Sequence, residues 1–240
     1  MECRDWLGEQ VRVGLGLELS GEQLDRFSLY FRLLVEGNQK LNLTTITKES
    51  EVFIKHFYDS LTVAGHLPLT SMETVIDVGT GAGFPGLPLK IAFPHLRLVL
   101  LDSLNKRVTF LKETTEQLGL KGVQYLHARA EEAARNRSHR EAYDLAAARA
   151  VAKLNVLSEY CLPFVRRGGW FVAMKGPDVS EEMQESERAI QVLGGTPVET
   201  VSLSLPENQG KRNLILIQKK SPTPKTYPRK AGTPLRKPVK

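Results

Sequence analysis

The residues with the most chemistry in this 240-residue chain lie close together: Asp77, Gly79, Gly81, Gly83 and, one apolar run later, Asp102. The stretch TVIDVGTGAGFPG, Thr74 to Gly86, is a β-branched run that ends in three glycines at alternate positions. Without Cβ atoms those glycines take positive φ and let a ligand lie against bare backbone, beside the unpaired N–H groups of a following helix. Asp102 closes a second apolar run, Leu98 to Leu101, where a carboxylate is placed to hold the hydroxyl pair of a ribose. Together these residues describe a pocket for an adenosine-containing cofactor.

The literal pattern allows two cofactors. Gly81-Ala82-Gly83-Phe84-Pro85-Gly86 spells G-x-G-x-x-G, the dinucleotide fingerprint. Its register argues otherwise, because there the first glycine leaves the strand directly, whereas here Gly79 does so. Asp77 also puts an acid inside the strand end, which would repel a pyrophosphate and suits a cationic amine. D-x-G-x-G-x-G is the pattern of S-adenosylmethionine (SAM) methyltransferases, whose cofactor carries an ammonium and a sulfonium and no phosphate. The plain alternative is a glycine-rich turn with no ligand, which requires three glycines, Asp77 and Asp102 to coincide by chance.

The elements that must position these groups follow from periodicity. Strand-like runs at 74–78, 97–101, 123–128, 143–148 and 170–174 alternate with helical stretches at about 85–92, 105–118, 153–166 and 179–193. This is the βαβ alternation of a doubly wound α/β sheet. Val198 to Leu205 and Asn213 to Gln218 follow with only a short turn between them, so the sheet should end in an antiparallel hairpin strand. Residues 1 to about 70 read as a helical region. Ser20 with Gln23 makes a capping box, an apolar face runs from Leu24 to Leu34 and stops at Gly37, Asn38 to Thr47 reads as a loop, and helix restarts at Glu49. The predicted organisation is a helical region at 1–70, a Rossmann-like core at 71–218 and a tail at 219–240.

Composition narrows the class further. A 26.8 kDa chain buries about 70 to 75% of its extended surface on folding, so it needs no disulfide or metal staple. Only Cys3 and Cys161 are present, which argues for a reducing compartment, and the five histidines show no metal-ligand spacing. MECRDWLGEQ lacks the basic and apolar regions of a signal peptide, and no apolar run approaches a membrane span, so a cytoplasmic monomer is expected. The net charge is +6, yet Lys219 to Lys240 alone holds eight basic residues and no acid, leaving the body at −2. Five prolines and few large apolar side chains give this tail nothing to bury, so it is expected to be extended, mobile and suited to polyanions.

Several stretches carry a resemblance. DVGTGAGFPGLPLK (Asp77 to Lys90), LLDSLNKRVTFL (Leu100 to Leu111), RAEE (Arg129 to Glu132), ARAVAKL (Ala148 to Leu154) and FVAMKG (Phe171 to Gly176) resemble the bacterial GidB/RsmG family, as do NxKxNLT at Asn38 to Thr44 and HFYDS at His56 to Ser60. That family comprises SAM-dependent methyltransferases acting on a guanine N7 of 16S ribosomal RNA. The resemblance runs from about Leu24 to Gln218, with GFPG and DSLNKR its most specific parts; Gly37 departs from it, standing where relatives often have tryptophan. It implies SAM contacts at Gly79, Phe84, Ala130, Glu131 and Arg149. Asp102 would take the ribose hydroxyls, with Ser103 and Leu104 beside it.

The implied chemistry accounts for what the chain lacks. Guanine N7 has an exposed lone pair and no proton to lose, so methyl transfer needs alignment more than a general base. Amine-methylating enzymes carry Asn/Asp-Pro-Pro-aromatic after the fourth strand, where this chain has Arg149-Ala150-Val151-Ala152. Cytosine C5 enzymes need a nucleophilic cysteine, whereas Cys161 falls in a predicted helix and reads as packing. Lys106 and Arg107 after Asp102, and Lys175 at the end of the fifth strand, are candidate contacts to RNA or the small ribosomal subunit, with Lys211 and Arg212 as further candidates. His56 reads as a packing or hydrogen-bonding histidine. Two other readings stay open: an RNA- or ribosome-binding module with a vestigial pocket, and a small-molecule SAM methyltransferase.

Overall fold

In the computed structural model, which describes residues 1–149 and 152–239, one seven-stranded sheet carries the candidate site. Strands β1 (Thr74–Val78), β2 (Arg97–Asp102), β3 (Val123–His127), β4 (Tyr143–Arg149), β5 (Val165–Lys175), β6 (Gly195–Ser204) and β7 (Lys211–Lys219) lie in the order β3-β2-β1-β4-β5-β7-β6. The first five are parallel and β7 runs antiparallel between β5 and β6, as the missing crossover before it requires. The order reverses between β1 and β4, so the strands' C-terminal ends diverge there and leave a crevice. Central strand β1 is buried after its first residue, which explains its β-branched composition.

Helices α5 (Gly86–Ala92), α6 (Asn105–Gln117), α7 (Ala130–Ala133), α8 (Leu154–Cys161) and α9 (Ser180–Val192) connect the strands. They split the core into two clusters: one joins the helical region to the face of β1 bearing Val75, the other packs α8 and α9 against the face bearing Ile76. Cys161 is fully buried in the second, and burial pushes its thiol well above the usual range. Among the described residues, no helix is long and apolar enough to cross a membrane, and no group of three or more His, Cys, Asp or Glu side chains could hold a metal. Ala150 and Val151 of the stretch after β4 lie outside the described residues.

The helical region comprises α1 (Cys3–Leu15), α2 (Gly21–Leu41), α3 (Glu49–Val52), a π-helical segment Phe53–Tyr58 and α4 (Asp59–Leu61). The capping box forms: Ser20 Oγ accepts from Gln23 N and Gln23 Oε1 from Ser20 N. Helix α2 does not stop at Gly37 but continues to Leu41 and ends at Asn42, in the left-handed conformation. Gly37 serves packing instead, since a Cβ there would clash with the Phe110 ring. A mid-helix glycine costs about 1 kcal/mol against alanine, an expense offset by bringing α6 against bare backbone.

Residues 219–239 differ from the expectation of an extended, mobile tail. Lys219 and Thr223 are buried, Pro228 and Pro234 are buried among neighbours, and α10 (Thr233–Arg236) lies near α8. Counting apolar side chains misjudged this segment because polar groups of the body hold its backbone. Arg140 donates to the carbonyls of Thr223 and Tyr227, and Arg135 to that of Pro228.

Candidate functional site

The glycine turn is braced from above and below. Gly79 N and Thr80 N donate to Leu101 O at 2.9 and 3.1 Å, which folds the chain over the end of β2, with Gly79 at φ 71°. Asp77 lies beneath with no exposure; its Oδ2 accepts from Thr80 Oγ1 at 2.6 Å and Gly86 N at 2.8 Å. A Cβ at Gly86 would fall 2.8 Å from that same oxygen, so this position requires glycine. Burial pushes the Asp77 carboxyl up to about 6, and its Oδ1 has no hydrogen-bond partner among the described residues. Asp77 lines neither of the two cavities beside the turn, so its attraction for a cationic amine acts from beneath Gly79 and not by contact.

On the β2 side a cavity of about 400 Å³ is lined by Gly79, Asp102, Ser103, Ala130, Glu131, Arg149 and Tyr160 among others. Asp102 Oδ1 accepts from Leu104 N at 2.9 Å and Oδ2 from Gly81 N at 3.0 Å, so its carboxylate is locked in place facing the cavity. Leu104 contributes through that N–H; its side chain is exposed and does not line the cavity. Glu131 is nearly buried, and its Oε1 accepts from Gly232 N at 2.7 Å. The dimensions and the fixed carboxylate suit the adenosine half of SAM.

A second cavity of about 480 Å³ opens toward the helical region and shares Gly79, Arg107 and Arg149 with the first. Phe84 lines this one, not the first. His56 stacks on its ring at 4.6 Å, and the Arg149 guanidinium carbon lies 4.6 Å from the ring centroid. Arg149 donates to Lys55 O at 3.2 Å and, at 3.5 Å, reaches Asp59 Oδ2, which also accepts from Arg212 Nε at 3.2 Å. Burial raises the Asp59 carboxyl against the pull of both arginines, and burial followed by the charge of Arg149 drives the His56 imidazole down to about 3. His56 is therefore neutral at ordinary pH, and its Nε2 pairs with Thr44 Oγ1 at 2.9 Å. NxKxNLT and HFYDS, far from the glycine turn in sequence, build one wall of the crevice.

The cations placed at the strand ends divide. Arg107 sits between the cavities with Nη1 3.4 Å from Asp102 Oδ2. Lys175 lines the second cavity, but its ammonium is committed to Ala152 O at 2.5 Å and Glu182 Oε1 at 2.7 Å. Lys106 is exposed on a groove between α2 and α6 and lines neither cavity. Arg212 is drawn into the second cavity by Asp59, a residue that sequence reasoning missed. The available signal was an aspartate inside the apolar helical run FYDSLTV, where a charge needs a partner.

Known proteins share the sequence and the fold of this chain. The family model GidB, described as rRNA small subunit methyltransferase G, matches residues 23–215. The chain is 53% identical over 224 residues to the Ribosomal RNA small subunit methyltransferase G of an Exiguobacterium species, covering 93% of this chain and 94% of that one. It is 54% identical over 226 residues to the protein of the same name from Alkaliphilus metalliredigens, covering 94% and 95%. A solved putative O-methyltransferase from Klebsiella pneumoniae is similar in fold, with a TM-score of 0.54 at 15% identity over 80% of this chain and 90% of that one. A family match over residues 23–215, with relatives more than 50% identical over nearly the whole chain, makes this chain a member of the GidB family of ribosomal RNA small subunit methyltransferases G.

Proposed function

We propose that this protein transfers a methyl group from SAM to the N7 of a guanosine in 16S ribosomal RNA, as a monomer in the cytoplasm. The observation that carries the reading is the meeting of two cavities at Gly79 and Arg149, one bordered by the fixed carboxylate of Asp102 and one walled by cations and an aromatic ring. In this reading Asp102 holds the ribose, Ala130 and Glu131 border the adenine, and Gly79 lets the cofactor lie on the turn, with Asp77 beneath to neutralise its ammonium. Bound SAM supplies a sulfonium methyl as electrophile.

The chain's own groups then align the acceptor. Phe84, braced by His56 and Arg149, forms a stiff wall of the second cavity. Arg149 and Arg212, both anchored on Asp59, present fixed positive charge to the RNA. N7 has no proton to remove, and His56 held near 3 is not poised as a general acid at neutral pH. Rate acceleration by alignment alone reaches about 7 to 11 kcal/mol, enough for such a reaction without a base. Incubation with methyl-labelled SAM and small-subunit RNA, followed by nucleoside digestion, should place the label in 7-methylguanosine. Label in a metabolite but never in RNA, or no transfer to naked RNA or assembled subunits, would overturn the reading.

A further inference from the structure

The chain leaving β7 is fastened to the body at successive points, and the last of them is the wall of the adenosine cavity. Lys219 is fully buried, donates from Nζ to Leu162 O at 2.6 Å and lies 3.4 Å from Glu141 Oε1. Thr223 N donates to the same Glu141 oxygen at 2.6 Å and Thr223 Oγ1 to Leu193 O at 2.9 Å. Arg229 then grips Glu159 of α8, donating from its backbone N at 2.7 Å to Oε1 and from Nη2 at 2.6 Å to Oε2. Three residues on, Gly232 N donates to Glu131 Oε1 at 2.7 Å.

Of the three carboxylates reached by this segment, Glu131 and Glu159 bear on the cavity. Glu131 lines it directly, and Glu159 immediately precedes Tyr160, which also lines it. Helix α7, which carries Glu131, is four residues long, too short to hold a side chain by its own cooperativity. The Glu159 side chain is 1% exposed, so the orientation of this stretch of α8 depends on a charged partner, and Arg229 is that partner.

We propose that residues 219–239 are a positioning strap for the cofactor: Arg229 and Gly232 hold Tyr160 and Glu131 in place, so that SAM affinity, more than RNA affinity, depends on this segment. The proposal rests on the reading that the cavity beside Asp102 takes the adenosine of SAM. Two of the segment's basic residues, Lys219 and Arg229, are committed to the body; Lys220, Lys225, Lys230, Arg236 and Lys237 are exposed.

The test titrates SAM into the full-length protein by calorimetry for wild type, Arg229→Ala, Gly232→Ala and the exposed double variant Lys220→Ala/Lys225→Ala, with RNA affinity and thermal unfolding measured alongside. Gly232 sits at φ 76° with open space where a Cβ would go, so alanine there strains the turn without a clash and gives a gentle variant should Arg229→Ala fail to fold. The expected result is a rise in the SAM dissociation constant of about tenfold or more for Arg229→Ala and about threefold for Gly232→Ala. RNA affinity, and kcat at saturating SAM, should stay within about twofold, and the double variant should bind SAM as wild type does. Wild-type SAM affinity in Gly232→Ala, or SAM and RNA affinities falling together in step with the folded fraction, would overturn the strap while the methyltransferase reading stands. A wild-type protein that binds no SAM would bring down that reading, and the strap with it.

Discussion

Asp77 and Asp144 lie on adjacent parallel strands at opposite ends of one sheet, and they are used in opposite ways. Asp144 is the second residue of β4: its Oδ2 accepts from Glu73 N, Thr74 N and Thr74 Oγ1 at 2.8 to 2.9 Å, and its Oδ1 from Arg166 Nε at 2.5 Å. Burial alone would raise its carboxyl, yet Arg166 and those N–H and hydroxyl donors hold it down at about 2. Asp77, near the C-terminal end of β1, is pushed up to about 6, and Asp59 in the facing helical region is raised as well; among the described residues each keeps one oxygen without a hydrogen-bond partner. At one end of the sheet a carboxylate is saturated and stabilises the fold; at the other, buried carboxylates are left under-satisfied where a cationic ligand or an arginine can use them.

The largest effect should come from filling the turn that separates the ends. Gly79→Val places a branched side chain at φ 71° where the cofactor approaches, and SAM affinity should fall at least about a hundredfold in calorimetry. Retained binding would mean the cofactor lies elsewhere. Asp144→Ala should do the converse, lowering unfolding stability in urea by about 2 to 3 kcal/mol, since it strands two backbone N–H groups, while the folded fraction binds SAM normally. A loss of SAM affinity there would erase the distinction between the two ends.

The two acids should also respond oppositely to pH. Asp77 has a folded pKa raised from 3.8 to about 6, so its contribution to stability is full below 3.8 and is lost as pH rises through 6. Asp144 is lowered from 3.8 to about 2, so its contribution is present above 3.8 and is lost as pH falls through 2. In ligand-free protein, Asp77→Asn should therefore remove a decline in stability on the order of 2 to 3 kcal/mol between pH 4 and 7. Asp144→Asn should instead flatten the acid limb. Identical pH profiles for the two variants would contradict the comparison. The smallest effect concerns RNA: Lys175→Met should weaken it less than about threefold, because that ammonium is already spent on Glu182, whereas Arg212→Met should weaken it more.

How much of this was legible in the sequence depended on distance along the chain. The glycine turn, Asp102 and the terminal hairpin could be read because their chemistry is local: glycine spacing, β-branched runs and the lack of a crossover segment before the last strand. The second cavity could not, because Asp59 meets Arg149 and Arg212 across 90 and 153 residues, and only folding brings them together. The pairing of Lys175 was hidden for the same reason, its partner Glu182 lying on a helix whose rotation the sequence does not state. The segment after β7 was misread in another way: its own composition holds little to bury, but Arg135, Arg140, Glu131 and Glu159 of the body supply what fastens it.

Methyl transfer from labelled SAM to 16S ribosomal RNA, compared among wild type, Asp77→Asn and Asp144→Asn at equal concentrations of folded protein, tests the central claim most directly. The account predicts label in 7-methylguanosine for wild type and Asp144→Asn at similar rates, and a rate lower by about tenfold or more for Asp77→Asn. Equal transfer by all three, or label in any nucleoside other than 7-methylguanosine, would contradict it.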